Sequence, residues 1–194
     1  MATSMQGKEA RDAASRDWAD DILHFWFEEL KSQEWFSKDQ QLDERVRHRF
    51  LETYEQLRSG LPSGATQSAR GSLAAIIVLD QFPRNMFRNS PQSFATDAQA
   101  LSIAQQAITQ SLDKQLSNPQ RVFLYMPFQH SEERAVQARS VELFAELGEA
   151  QNLDYAKRHQ ALIGRFGRFP HRNVMLGRVS SAQEREFLEH NPPF

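Results

Sequence analysis

Apolar residues recur along the chain at spacings of three and four with polar residues between them, the period of helices that bury one face. Trp18, Ile22, Phe25, Trp26 and Leu30 form the first stripe, with Ser15 or Asp17 as its cap. Its aromatic weight marks it as core rather than as a peptide groove. Leu42, Val46, Phe50, Tyr54 and Leu57 set a second helix over about 39–58, and Ser59-Gly60-Leu61-Pro62-Ser63-Gly64 breaks it. The run Leu73–Leu79 is apolar nearly all round; its flanking alanines and a length of roughly fifteen residues predict a central helix from near Ser68 rather than a strand. Pro83 is expected to end it, leaving Arg84–Arg88 as a polar and aromatic loop.

Further along, Ser90-Pro91 opens a helix carrying Phe94, Ala98, Leu101 and Ile108. Asn118-Pro119 repeats that signal for a short helix with Val122, Phe123 and Met126, which Pro127 is expected to end. Ser131 caps the next, with Val136, Leu143, Phe144 and Leu147 inward and Gly148 as its stop. Another runs from about Asn152 to Phe166, and Ser181-Ala182-Gln183-Glu184 is a capping box for the last, closed by Asn191-Pro192-Pro193. No alternating segment bounded by hairpin turns occurs. The pattern predicts an all-α chain of about eight helices in antiparallel hairpins, forming a single helical domain over 16–194 after a disordered tail over 1–15.

Composition narrows the setting. A net charge of -2 argues against a nucleic-acid surface spread over the whole molecule. With no cysteine, disulfides, thiolate metal sites and a cysteine nucleophile are excluded, and a reducing compartment is the easiest fit. The first residues lack the apolar run of a signal peptide, and no stretch is long enough to span a bilayer. The reading is a cytoplasmic protein with neither membrane nor nucleic acid as partner. Oligomeric state is not encoded legibly.

The candidate chemistry lies at three prolines, each preceded by an apolar residue and followed within three residues by a polar group. Gln81-Phe82-Pro83-Arg84-Asn85 and Arg168-Phe169-Pro170-His171-Arg172-Asn173 resemble each other, and Tyr125-Met126-Pro127-Phe128-Gln129-His130 shares the pattern. If each proline ends a helix and alternate helix ends share a rim, the six polar groups meet: Arg84, Asn85, His130, His171, Arg172 and Asn173, with Asp80, Gln81, Glu132 and Arg168 beside them. Arg84 and Arg172 are fork-shaped donors for a carboxylate or phosphate, and the asparagines orient the guest. His130 and His171 are the acid–base candidates, with Glu132 or Asp80 to fix a tautomer. The bland alternative is that these residues only cap helix ends. A metal held by His130, Glu133 and either His159 or His171 is the competing functional reading; no metal or cofactor motif supports it, so none is expected.

Four motifs, His24-Phe25-Trp26-Phe27, Leu79-Asp80-Gln81-Phe82-Pro83-Arg84-Asn85, Tyr125–Glu132 and Phe166–Asn173, together resemble the markers of the uncharacterised helical family called domain of unknown function 924. The resemblance covers about Trp18 to Leu188. It implies a soluble stack of helical hairpins similar to the tetratricopeptide-like superfamily, and it implies no activity. The chain lacks the tetratricopeptide consensus and a clean period of about 34 residues. Two expectations follow: a pocket for a small anionic metabolite, bound or turned over, or an interaction module for an acidic peptide or C-terminal carboxylate.

Overall fold

The computed structural model describes residues 18–191, so the expected tail and the Ser15 or Asp17 cap lie outside the described residues. The helices are α1 (Trp18–His24), α2 (Gln40–Ser59), α3 (Ala69–Ile76), α4 (Phe82–Met86), α5 (Asp97–Thr109), α6 (Asn118–His130), α7 (Arg134–Leu147), α8 (Ala150–Phe166) and α9 (Ala182–His190). A π-turn, Ile77–Gln81, joins α3 to α4 as one rod. The described residues contain no strand, and the chain is all-α.

The hub is α3, which packs against α1, α5 and α6. Leu73 through Leu79 are all at 0% exposure, which is why this segment is apolar on every side. Each leucine, isoleucine and valine of the run contributes about 1.5–3 kcal/mol by leaving water. The aromatic stripe that runs from α1 into a π-turn, Phe25–Glu29, completes the same core. Phe25 stacks edge-on against Phe50 at 5.0 Å, Trp26 meets Phe82 at 5.7 Å and Phe123 at 5.5 Å, and Phe50 stacks on Phe82 at 4.8 Å. Trp35 locks the turn after α1 by donating its indole N–H to the Trp26 carbonyl at 2.7 Å.

Glycines at left-handed positions, where a side chain is strained, stop α7 at Gly148 (φ 80°) and α8 at Gly167 (φ 72°). The short links after α6 and α7 fold the second half into hairpins, with α6 packed on α7 and α7 on α8. Ser181 and Glu184 form the expected capping box of α9.

Two expected helix ends are corrected. Pro83 does not stop a helix: it follows the π-turn, and Arg84 to Met86 remain helical. A proline ring in a regular helix collides with the carbonyl four residues back and leaves it without a donor. Here the turn is widened, with the Phe82 N–H reaching the Ile77 carbonyl, and the Leu79 carbonyl accepts from Thr96 Oγ1 instead. Pro127 likewise lies inside α6, which continues to His130. The end of that helix is capped from α7 by Gln137, whose Nε2 donates to the Gln129 and Ser131 carbonyls at 2.7 Å each.

Candidate functional site

The π-turn places a carboxylate inside the apolar hub: Asp80 is at 0% exposure. An ion so placed is tolerated only with partners around it. His130, at the end of α6, sets its Nδ1 2.7 Å from Asp80 Oδ1. Gln81 Nε2 donates to Asp80 Oδ2 at 2.6 Å. Arg84, one turn on, donates to the Asp80 carbonyl and lies 3.5 Å from Oδ1. The same guanidinium forks onto Asp97, at the start of α5, with bonds of 2.9 and 3.0 Å. Arg172, from the 3-10 turn Pro170–Arg172, reaches Asp97 Oδ2 at 3.3 Å. One carboxylate thus holds both arginines.

The aromatic surroundings fall on Arg172. Its guanidinium carbon lies 4.6 Å from the centroid of Phe94 and 4.6 Å from that of Phe169, over both rings. These contacts cover the side chain without using its donors. Among the described residues, the bond to Asp97 is the one hydrogen bond made by that guanidinium, although only 14% of the side chain is exposed.

Charge states follow from these neighbours. Burial opposes ionisation of Asp80, but the charges of Arg84 and His130 and the bonds from His130 and Gln81 outweigh it and hold the carboxyl at about 2. Burial, and then the positive charge of Arg84, lower the His130 pKa against the pull of Asp80. Because an ionised Asp80 only accepts, the His130 Nδ1 carries the proton and Nε2 is left as an acceptor. No hydrogen bond reaches that Nε2 among the described residues. Burial also brings Arg172 down to about 10, Asp97 opposing and Arg84 adding to the effect, so it stays charged at neutral pH. His159 in α8 closes the far side: its Nδ1 bonds the Tyr155 carbonyl at 2.8 Å, its ring meets Phe169 at 5.6 Å, and burial lowers it to about 4.

Of the residues expected to meet, Asp80, Gln81, Arg84, His130 and Arg172 share this cluster. The others are engaged elsewhere. Asn85 donates to Asp43 at 2.9 Å, alongside Arg88. His171 points away from Arg172, bonding the Asn191 carbonyl at 2.9 Å and meeting the Phe187 ring at 5.7 Å. Successive residues of a 3-10 turn diverge by about 120°, so the two neighbours cannot face one centre. Asn173, fully buried, donates to Ser180 Oγ at 3.0 Å. Arg168 clamps Glu184 at 2.7 and 2.8 Å. Glu132 accepts from the Phe169 N–H and from Arg178, each at 2.9 Å, which lowers its pKa against the effect of burial and leaves it no role in orienting a histidine.

Asp97 and Phe94 belong to the site and were not anticipated. An acid in the first turn of a helix has an ordinary explanation in the helix dipole, and an aromatic just before it reads as packing. Among the described residues, no three His, Asp or Glu side chains are grouped to hold a metal, so His130 and Glu133 do not combine with His159 or His171. Two open recesses lie away from the cluster. One of about 570 Å³ is bordered by Phe25, Arg45 and His48, and one of about 340 Å³ by Ile108, Phe128 and Arg139.

The chain belongs to the family described as bacterial protein of unknown function, DUF924, whose model matches residues 22–192. The solved structure of a protein of unknown function, ATU0120 from Agrobacterium tumefaciens, is similar to it with a TM-score of 0.85 and 38% identity, covering 89% of this chain and 97% of that one. No curated protein matches the chain. Among the described residues, no helix is long and apolar enough to cross a membrane.

Proposed function

We propose that the chain binds a small anionic metabolite at Asp80, Arg84, Asp97, His130 and Arg172. The observation that carries this reading is the unspent capacity of Arg172. A guanidinium offers five N–H donors, and one that is largely withdrawn from water normally uses them. This one makes a single long bond while two phenyl rings hold it in place, and its remaining donors open to solvent, where a guest can take them. Close by, His130 presents an unbonded Nε2 backed by a buried carboxylate, the arrangement that moves a proton if the guest is turned over.

A second reading, docking of an acidic peptide end, draws support from Val174 and Val179, which are 87% and 86% exposed on the segment that follows Arg172. The small-molecule reading is the stronger, because the donors converge from separate elements on shared carboxylates, with side chains only 14–23% exposed, rather than being strung along a surface.

The test is a thermal-shift titration with acetate, pyruvate, inorganic phosphate and an acidic peptide, each against the unmodified chain and Arg172→Ala. A ligand present at a hundred times its dissociation constant stabilises by about 2.7 kcal/mol, which moves the melting temperature by several degrees. Stabilisation by a small anion that disappears in Arg172→Ala supports the proposal. Stabilisation by the peptide alone favours docking, and stabilisation that survives the substitution removes Arg172 from the site.

A further inference from the structure

The cluster is electrically balanced before any guest arrives. Two carboxylates, Asp80 and Asp97, face two guanidiniums, Arg84 and Arg172, through the bonds and contacts already given. Glu132 is matched by Arg178 at 2.9 Å. The groups that face His130 are Asp80 on the π-turn, Arg84 on α4, Asp97 at the start of α5 and His159 on α8, while Arg172 shares Asp97 with Arg84. With both histidines neutral, no positive charge is in surplus. An anion held against the side chains of Arg84, His130 and Arg172, which are 14–23% exposed, therefore leaves one uncompensated negative charge in a partly desolvated place, which is costly.

One side chain of the cluster can cancel that charge. His130 has its Nδ1 held by Asp80 at 2.7 Å, so any added proton goes to Nε2, the atom that lacks a hydrogen bond. Protonated there, the ring becomes a donor on both sides, to Asp80 and to the guest. Asp97 is engaged by both arginines and Glu132 by Arg178, so neither is placed to give an anion a donor.

Resting on the reading of the preceding section, we infer that the site takes up a small monocarboxylate together with one proton, the proton carried on Nε2 of His130. The charge count selects the class. One proton balances one negative charge, whereas a phosphate monoester at neutral pH brings close to two and leaves the recess negative. A planar carboxylate also suits the in-plane donors that Arg172 has left, and Phe94 and Phe169 provide apolar walls for an organic acid's carbon end. The proton is drawn from solvent on binding and returned on release.

The experiment is a calorimetric titration of the full chain with acetate and pyruvate between pH 6 and 8, repeated at one pH in phosphate-free buffers of different ionisation enthalpy, with inorganic phosphate as the competing arm. Uptake of one proton predicts an affinity that weakens about tenfold for each pH unit in the range where free His130 is neutral, and a buffer-dependent heat equal to one proton per site. In His130→Gln, which keeps the side chain's length without a titratable ring, the residual affinity is independent of pH. A wild-type affinity for acetate or pyruvate that does not change with pH overturns the inference while leaving anion binding intact. Phosphate binding more tightly than either carboxylate overturns it too, and a slope that persists in His130→Gln assigns the proton to another group. If no anion binds at any pH, the inference and the proposed function fall together. Melting curves of His130→Gln separate loss of folding from loss of linkage.

Discussion

Two arginine–carboxylate networks flank the segment after α8, and they differ in how fully they are used. Around Glu184 every strong partner is spent. Arg168 gives Nε and Nη2 to the two carboxylate oxygens at 2.7 and 2.8 Å, Nη2 also reaches the Val179 carbonyl at 2.9 Å, and the Ser181 N–H adds a bond of 2.7 Å. Those bonds from Arg168 and Ser181 hold the Glu184 carboxyl at about 2, against burial. The network fastens the segment after α8 to the start of α9, and three of the Arg168 donors are spent on it, those on Nη1 making no hydrogen bond among the described residues. Around Asp80 and Asp97 the carboxylates are equally well partnered, yet Arg172 and His130 keep donors and an acceptor in hand. Arginine in a basic stretch is therefore not evidence of a site by itself; on the proposed reading, the larger surplus of Arg172, with one bond against three for Arg168, marks it as the ligand group and Arg168 as the clamp.

The comparison breaks most easily at Asp80. Removing a fully buried carboxylate takes the partner from the His130 ring and from Gln81 and one counter-charge from Arg84, which keeps Asp97, and breaking a buried pair in this way costs about 3–5 kcal/mol. Asp80→Ala is expected to lose that much in urea unfolding at pH 7, and a loss under about 1 kcal/mol would mean the cluster is not a unit. The acid dependence gives the same residue a second signature. A carboxyl lowered from 3.8 to about 2 stabilises the folded chain above its unfolded value, and this contribution fades as the pH falls from about 4 towards 2. Asp80→Asn should flatten that part of the stability curve.

A smaller effect is expected at the clamp. Glu184→Gln keeps the shape but loses the charge that two donors of Arg168 address, for about 1.5–3 kcal/mol, the range for hydrogen bonds to charged groups. The comparison requires the anion titration of this variant to match the wild type once corrected for its lower melting temperature. A changed affinity would join the two networks into one site.

The sequence was informative about this architecture wherever burial was one-sided. The stripes of α2 and α8, the glycine stop at Gly148 and the capping box at Ser181 are all where period and cap chemistry put them. The π-turn was invisible for a physical reason. An extra residue per turn shows up as a shift of the apolar face, and Leu73–Leu79 has no polar face to shift. Pro83 was misjudged because a proline stops a helix only when nothing widens the turn or supplies the lost bond, and Pro127 was misjudged too, since α6 runs on through it to His130. For the site, the residue types at Asp80, Arg84, His130 and Arg172 were legible, whereas their pairing was not. Whether His171 or Arg172 turned inwards depended on the geometry of a three-residue turn, and Asp97 looked like any acid at a helix start.

The smallest effect on stability should accompany one of the larger effects on binding. Arg172→Lys keeps a positive charge and an apolar stem beside Phe94 and Phe169, and it gives up one bond of 3.3 Å. Its cost in unfolding is expected at about 0.5 kcal/mol or less, in line with an ion pair that was never well made. What the lysine lacks is the planar fork, so a carboxylate that used two in-plane donors is left with one mobile ammonium. A tenfold or greater weakening of acetate or pyruvate binding is expected, read from the same calorimetric titration, while melting stays near that of the wild type. Equal small changes in both quantities would mean that Arg172 attracts the anion by charge alone. A large loss of stability with unchanged binding would make it a second clamp and erase the distinction between the two networks.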